Sequence, residues 1–370
     1  MSLFQPEPPQ SIRGCGAACR VEWFITAMPS KPSPKSATSS RHPANQSRRG
    51  FLKTSLSTAL AAPLLMSFEE NALAAETTAP GAKPAEPATP KEQSPAGKIG
   101  NVSVSRLICG GNLISGYAHS RDLIYVSNLL KHYFTEEKIF STWARCEEYG
   151  INTMVASSSD PRVNRLYQEY VKRGGKIQYI AQVNPVPEDL TTSIRLAAEA
   201  GAVGAFLLGN IGDKWVREGA VGRVGEVVEV IKEHGLIAGV AGHELRTTMA
   251  VEKAKIAVDY YVKTLHQDNY WSKRRPDQTA EVIDNYKVDN YWCRDANETV
   301  DFMAKVKRPW IAYKVLAAGA IPVRDGFRYA FESGADFALV GMFDFQVDVD
   351  VSVTRQVLAA KLNRSRAWMA

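Results

Sequence analysis

The chain is poor in cysteine. Cys15, Cys19, Cys109, Cys146 and Cys293 are its five cysteines in 370 residues. Their number and irregular spacing exclude a disulfide framework and a zinc-ligand pattern. No His-Glu-x-x-His and no calcium-loop spacing occurs, so no metal motif stands out. No Gly-x-Gly-x-x-Gly follows the first apolar run of the C-terminal part, which argues against a dinucleotide-binding open sheet. Excess charge is also missing. The formal net charge is +6, but residues 1–75 hold 8 basic and 4 acidic side chains. The remainder carries 37 basic and 35 acidic residues, a net +2 that gives no reason to expect nucleic acid or an anionic membrane as partner.

What is present begins with "QSRRGFLKTSLS" at 46–57. Arg48, Arg49 and Lys53 supply charge, Thr54 to Met66 a modest apolar run, and Ala72-Leu73-Ala74 a small-residue cleavage site. That run is too short, and too rich in Ser, Thr and Ala, for a membrane span of roughly 20 apolar residues. Ser47, Arg48, Arg49, Phe51 and Leu52 resemble a twin-arginine export signal. The resemblance implies a bacterial protein carried to the periplasm, already folded, by the twin-arginine export machinery. Translation from Met1 or from Met28 would serve equally. Residues 1–75 are therefore the signal region, with cleavage after Ala74. Residues 76–97, rich in Pro, Ala, Thr and Glu, form a linker with little to bury, expected to be disordered. Residues 98–370 form the domain.

Within that domain, eight short β-like runs alternate with amphipathic segments. The runs are "RLICGGN" (106–112), "INTMVASS" (151–158), "IQYIAQVN" (177–184), "GAFLLGN" (204–210), "IAGVAGHE" (237–244), "DYYVKTLHQ" (259–267), "WIAYKVLAAG" (310–319) and "FALVGMFD" (337–344). Segments such as "VGEVVEVIKEH" carry helical spacing, and Gly150, Gly174, Gly175, Gly201, Gly235 and Gly334 mark turns before strands. Eight β–α units over this length predict an α/β fold, a single-domain (β/α)8 TIM barrel, with a doubly wound sheet as the rival. Chemistry is then expected at the C-terminal strand ends, where polar residues gather. The alternation of Asp348 and Asp350 with Val in "FQVDVD" reads as an edge strand or extended segment.

Several stretches resemble the aldo/keto reductases: "KIGNVSVSRLICGGN" (98–112), "EYGINTMVAS" (148–157), "KRPWIAYKVLAAGAI" (307–321) and "FRYAFESGADFALVGM" (327–342). The resemblance implies a barrel whose last two β–α units hold a nicotinamide dinucleotide, NADP, and an oxidoreductase activity. The family's catalytic Asp, Tyr, Lys and His find no match. Val155-Ala156-Ser157 stands where the Asp belongs, and "SSSDPRVNRLY" offers no Tyr at the expected spacing. Gln182 replaces the Lys and Gly209-Asn210 the His. Reduction would then need a non-standard acid, His243 or His266.

The candidate catalytic residues are His243, Glu244 and His266. Two imidazoles beside carboxylates, Asp268 included, suit an acid–base pair or a divalent metal, as in sugar isomerases, epimerases and lyases. Lys314, Asn112, Gln182 and Asn210 are the expected cofactor contacts, with Lys314 as an anion or phosphate contact. "QDNYW" (267–271) recurs as "VDNYW" (288–292) in the long segment after the sixth strand. Asp268, Tyr270, Trp271, Tyr291 and Trp292 are the kind of side chains that hold a sugar: aromatic faces cover C–H groups, and carboxylates and amides take hydroxyls. A small polar or carbohydrate-like ligand is the expected partner, and a non-catalytic carbohydrate-binding barrel is the remaining alternative.

Overall fold

A computed structural model describes residues 93–118, 123, 125–277, 293–294 and 296–370. The signal and most of the linker read from the sequence lie outside these residues, as do Tyr291 and Trp292.

All eight apolar runs are strands of one closed parallel barrel. In chain order the elements are β1 (Ala96–Ile99), β2 (Val102–Ser105), β3 (Leu107–Gly110), α1 (Val126–Tyr133), α2 (Glu136–Glu148), β4 (Thr153–Ser157), α3 (Pro161–Lys172), β5 (Gln178–Val183), α4 (Thr192–Ala200), β6 (Gly204–Leu207), α5 (Gly209–Arg217), α6 (Val221–Glu233), β7 (Ile237–Gly242), α7 (Leu245–Lys253), β8 (Tyr260–Thr264), α8 (Ala296–Met303), β9 (Trp310–Tyr313), α9 (Val323–Glu332), β10 (Phe337–Gly341), a 3-10 turn (Asp344–Gln346) and α10 (Val347–Ala359). The barrel runs β3 to β10 in sequence order and closes by pairing β10 with β3. The chain is thus a (β/α)8 barrel, as the spacing predicts. No helix of the described residues is long and apolar enough to cross a membrane.

Local chemistry sets the helix ends. Asp160 caps α3 by accepting from Arg162 N and Val163 N, with Pro161 at the first position. Gly150, Gly174, Gly201, Gly235 and Gly334 have φ between 74 and 98°, the left-handed turn that ends a helix before the next strand.

Strand alternation divides the apolar side chains into two sets. Ile108, Val155, Ile180, Phe206, Ala241, Val262, Ile311 and Phe337 fill the barrel. Cys109, Met154, Ala181, Leu207, Val240, Tyr261 and Ala338 pack outward against Trp143, Leu166, Val227 and Phe331 of the helices. The β1–β2 hairpin, which the sequence reading did not separate from the first strand, closes the lower end. Its Ile99 and Val104 are fully buried in the inner set. The described domain includes residues before the expected start at 98: Ser94 N donates to Tyr149 O at 2.8 Å, and Ala96 and Gly97 belong to β1.

The edge strand expected around Asp348 and Asp350 is a helix. Val347, Asp350, Val351, Val353, Thr354 and Val357 are its buried residues, and Val347, Asp350, Val351, Thr354 and Val357 recur at spacings of three and four. Asp348 and Asp350 lie in its first turn, where a carboxylate favours the helix dipole. The Val-Asp alternation has the same residues in both readings, and packing against the barrel decides between them.

A charged clasp locks the same end of the barrel. Asp336, fully buried, accepts from Trp310 N at 3.0 Å and Met369 N at 2.8 Å, and it pairs with Arg366. Arg366 also donates to Val306 O at 2.8 Å and Met303 O at 3.2 Å. Arg106 and Arg364 sandwich Trp368 at 4.2 and 3.4 Å from its ring. Removing Arg366 would leave a buried carboxylate without its main counter-charge. Arg366→Ala is expected to lower unfolding stability by about 3–5 kcal/mol, read from the denaturant midpoint, and a loss under about 1 kcal/mol would show that the clasp is not stabilising.

Candidate active site

Alternation along the strands places Ser157, Gln182, His243, Thr264 and Tyr313 at the upper rim, one step above Val155, Ile180, Ala241, Val262 and Ile311 of the inner core. Ser157 pairs with Gln182 across β4–β5, and Thr264 with Tyr313 across β8–β9. This is the C-terminal face of the barrel, the end where the sequence places chemistry.

At its centre is an Asp–His pair that the sequence reading half missed. Asp213 sits on α5 on the same buried face as Gly209, Gly212 and Trp215. Two glycines let α5 approach β7. A Cβ at Gly212 would stand 2.9 Å from Ala241 O, and one at Gly242 would stand 3.1 Å from Asp213 Oδ1. Fully buried, Asp213 accepts four hydrogen bonds. Oδ2 takes His243 N at 2.8 Å and His243 Nδ1 at 2.9 Å. Oδ1 takes Thr247 Oγ1 at 2.6 Å and Glu244 N at 3.3 Å. Since an ionised carboxylate only accepts, Nδ1 carries the proton. Nε2 is then the basic nitrogen of the neutral ring.

Burial pushes the His243 pKa below the ordinary 6.5. Asp213 opposes that shift, while the positive charges of Lys314 and Lys263 add to it. Lys263, 1 % exposed, donates from Nζ to His243 O and Thr264 O, both at 2.9 Å. The Tyr313 ring lies 5.5 Å from the His243 ring. A Cβ at Gly209 would meet Tyr313 Oη at 2.9 Å and His243 Cε1 at 3.0 Å. The family resemblance expects a His at this strand end. Here His243 of the next strand and Tyr313 fill the room that such a side chain would need.

The other candidates have distinct surroundings. Glu244 pairs with Arg246 Nε at 2.5 Å. His266, 3 % exposed, has both nitrogens engaged: Nε2 accepts from Cys293 N at 3.1 Å, so Nδ1 is the donor to Lys314 O, also at 3.1 Å. Tyr270 Oη lies 3.4 Å from His266 Nε2. This arrangement makes His266 a clamp between the β8–α8 segment and the β9 end. Asp268 is exposed and 3.7 Å from Lys273, and Trp271 is 86 % exposed. Asn112 is exposed on the rim, Gln182 is half-buried, and Asn210 Oδ1 is buried without a protein partner. Ser158 Oγ and Thr264 Oγ1 are in the same state.

Lys314 ends β9 with φ +59°, a left-handed conformation unusual for a long side chain, and Ala317 and Ala318 follow at +46° and +57°. Its carbonyl also accepts from Ala317 N at 2.9 Å. Backbone strain of this kind persists where the surroundings over-determine it.

Two cofactor classes can be tested against these residues. The described residues include no cluster of three or more His, Cys, Asp or Glu side chains able to hold a metal ion. For a nicotinamide dinucleotide, the last two β–α units would have to receive phosphates. Asp325 lies in the first turn of α9, Asp344 in the 3-10 turn, and Asp348 and Asp350 in the first turn of α10. Asp344 accepts from Tyr133 Oη at 2.6 Å and Lys138 Nζ at 2.9 Å, and Asp348 pairs with Arg145 at 3.3 Å. Carboxylates thus occupy the helix N-termini that would otherwise attract phosphate. A dinucleotide fits this set poorly.

The titration of His243 should be visible in folding. Its lowered folded-state pKa contributes stability that is complete above the unfolded value of 6.5 and is lost as pH falls toward and through the folded value. His243→Gln is expected to flatten the decline of unfolding free energy between about pH 7 and pH 5, where histidine titrates. An unchanged slope would contradict the burial of a neutral imidazole.

No family model matches the chain, and no curated protein matches it. Solved structures do. Two solved structures from Pseudomonas aeruginosa, each provisionally described as an aldo-keto reductase, align at 16% identity over 71% of this chain, one over 95% of its own length with a TM-score of 0.49 and the other over 94% with a TM-score of 0.50. A truncated 3-deoxy-D-arabino-heptulosonate 7-phosphate synthase from Thermotoga maritima aligns at 12% identity, over 72% of this chain and 90% of its own, with a TM-score of 0.41. At these identities the shared property is the fold alone: the chain is a (β/α)8 barrel.

Proposed function

We propose that this barrel is an acid–base enzyme that moves a proton at a carbon beside the carbonyl of a small polyhydroxylated substrate, as an isomerase, epimerase or lyase does. The observation that carries the reading is the Asp213–His243 pair at the barrel mouth. Asp213 fixes the tautomer and holds the ring. The neutral Nε2 accepts the proton as the C–H bond breaks, and the C–H electron pair forms the double bond of an enolate. Charge then develops on the carbonyl oxygen. Tyr313, beside the imidazole, is placed to hydrogen-bond that oxygen, and the Lys263 and Lys314 charges stabilise it. Return of the Nε2 proton to the former carbonyl carbon, with transfer of the adjacent hydroxyl's proton to the former carbonyl oxygen as that hydroxyl carbon becomes the new carbonyl, completes an isomerisation and restores the base.

A nicotinamide-linked reduction with His243 as the non-standard acid is the second reading, favoured by Lys314 at the β9 end. It would need NADP across the carboxylate-bearing helix ends. A barrel that binds a carbohydrate without turning it over is the third.

One experiment separates these readings. The protein is incubated in D2O with a panel of reducing sugars and sugar acids, and NMR follows solvent deuterium entering the carbon beside the carbonyl. Exchange is expected without nucleotide, and His243→Gln or Asp213→Asn should slow it by about 10²–10⁴-fold. Turnover that appears only with NADPH would move the assignment to the redox reading. Binding without exchange would move it to the third.

A further inference from the structure

We propose that Cys109 and Cys146 are a disulfide-forming pair, and that their bond is a covalent fastening between the first barrel strand and α2. The spacing of the cysteines carries no framework, and the fold brings this one pair together. The pair is independent of the reaction read at the barrel mouth.

Strand and helix aim a thiol at the same layer. Cys109 lies on β3 in the outward-facing set, opposite Val340 of β10 and Met154 of β4. Cys146 lies on the buried face of α2 with Ile139, Thr142 and Trp143. Both are fully buried free thiols. The Cys146 thiol is hydrogen-bonded to Cys109, and its Sγ also lies 4.0 Å from Met342 Sδ. Two cysteines whose side chains meet from neighbouring elements satisfy the first requirement of a bridge. Cys293 is placed elsewhere. Its Sγ donates to Thr264 O at 3.5 Å, at the end of β8, which pairs with β7 and β9 and not with β3.

Position gives the bond its effect. β3 meets β10 at the seam where the barrel closes. From the α2 side, Lys138 donates to Asp344 at 2.9 Å and Arg145 pairs with Asp348 at 3.3 Å, so α2 is tied to the segment after β10 by part-exposed ion pairs that contribute little. A covalent bond in the buried layer would hold α2 to β3 as well. The hydrogen bond with Cys109, then burial, then the carboxylates of Asp350 and Glu147 push the Cys146 thiol well above its ordinary range. The closed fold therefore keeps that thiol neutral, and the attacking species is the thiolate, so exchange requires α2 to open. On opening, one thiolate attacks a sulfur of an external disulfide such as oxidised glutathione and releases one glutathione. The second attacks the mixed disulfide, forms the Cys109–Cys146 bond and releases the other. The pair loses two electrons and two protons, and the glutathione disulfide takes them up as two thiols. The finished bond is uncharged and returns to the apolar layer.

The test holds the full chain in oxidised glutathione at a denaturant concentration just below its unfolding midpoint, where opening is frequent. The chain is then returned to native conditions, alkylated, and mapped by peptide mass spectrometry. A peptide cross-linked through Cys109 and Cys146 is expected as the main product. The oxidised chain should melt about 5–10 °C above the same chain carried through with dithiothreitol. Cys293→Ala should keep that gap, and Cys146→Ala should abolish it. The comparison of the two redox states within the unmodified chain stands even where a variant fails to fold. Alkylation of both thiols in the oxidised sample, or a bridge from either to Cys293 in place of this one, overturns the proposal. So does a bridged chain that melts no higher than the reduced one, or a gap that survives in Cys146→Ala.

Discussion

A fully buried carboxylate has to be satisfied where it stands, and the upper half of this barrel is arranged around that requirement at Asp213. Its four acceptor bonds draw together α5, the end of β7 and the start of α7. The same bonds decide which nitrogen of His243 is protonated, and thus which can act as a base. Gly209, Gly212 and Gly242 are the steric side of the same requirement, because a Cβ at each would stand in the space that Tyr313, Ala241 or Thr247 occupies. Chemistry and packing here have one cause.

The two ends of the barrel treat a buried aspartate differently. At the lower end Asp336 faces arginine, which stays protonated at every accessible pH, and the result is a permanent ion pair that fastens the C-terminal residues. At the upper end Asp213 faces histidine, whose proton can leave near neutral pH. One acidic side chain thus serves as a fastening, and the other orients an imidazole that the proposed function uses as its base. The division matches the general asymmetry of such barrels, with stability at the N-terminal face and reaction at the C-terminal face.

Much of this was legible in the sequence. The eight apolar runs and the turn glycines between them carry the barrel directly, because strand alternation and helix-ending turns are local properties. His243 and Lys314 were legible as polar residues at strand ends. Asp213 was not: in "GNIGDKW" it reads as one polar residue of an amphipathic helix, and only the fold brings it to β7. Tyr313 was hidden inside an apolar run, where an aromatic residue at a strand end looks like core. The Val-Asp alternation at 347–351 misled because period two and a helical face of Val347 and Val351 share the same letters. Of the repeated DNYW aromatics, Trp271 points to solvent and Tyr270 meets His266, while the second copy lies outside the described residues.

The central claim is the protonation state of His243, and nitrogen-detected NMR of histidine-labelled protein measures it directly. The account predicts a neutral imidazole at pH 7, protonated at Nδ1 and bare at Nε2, that titrates below 6.5. An imidazolium at pH 7, or a neutral ring with its proton on Nε2, would contradict it.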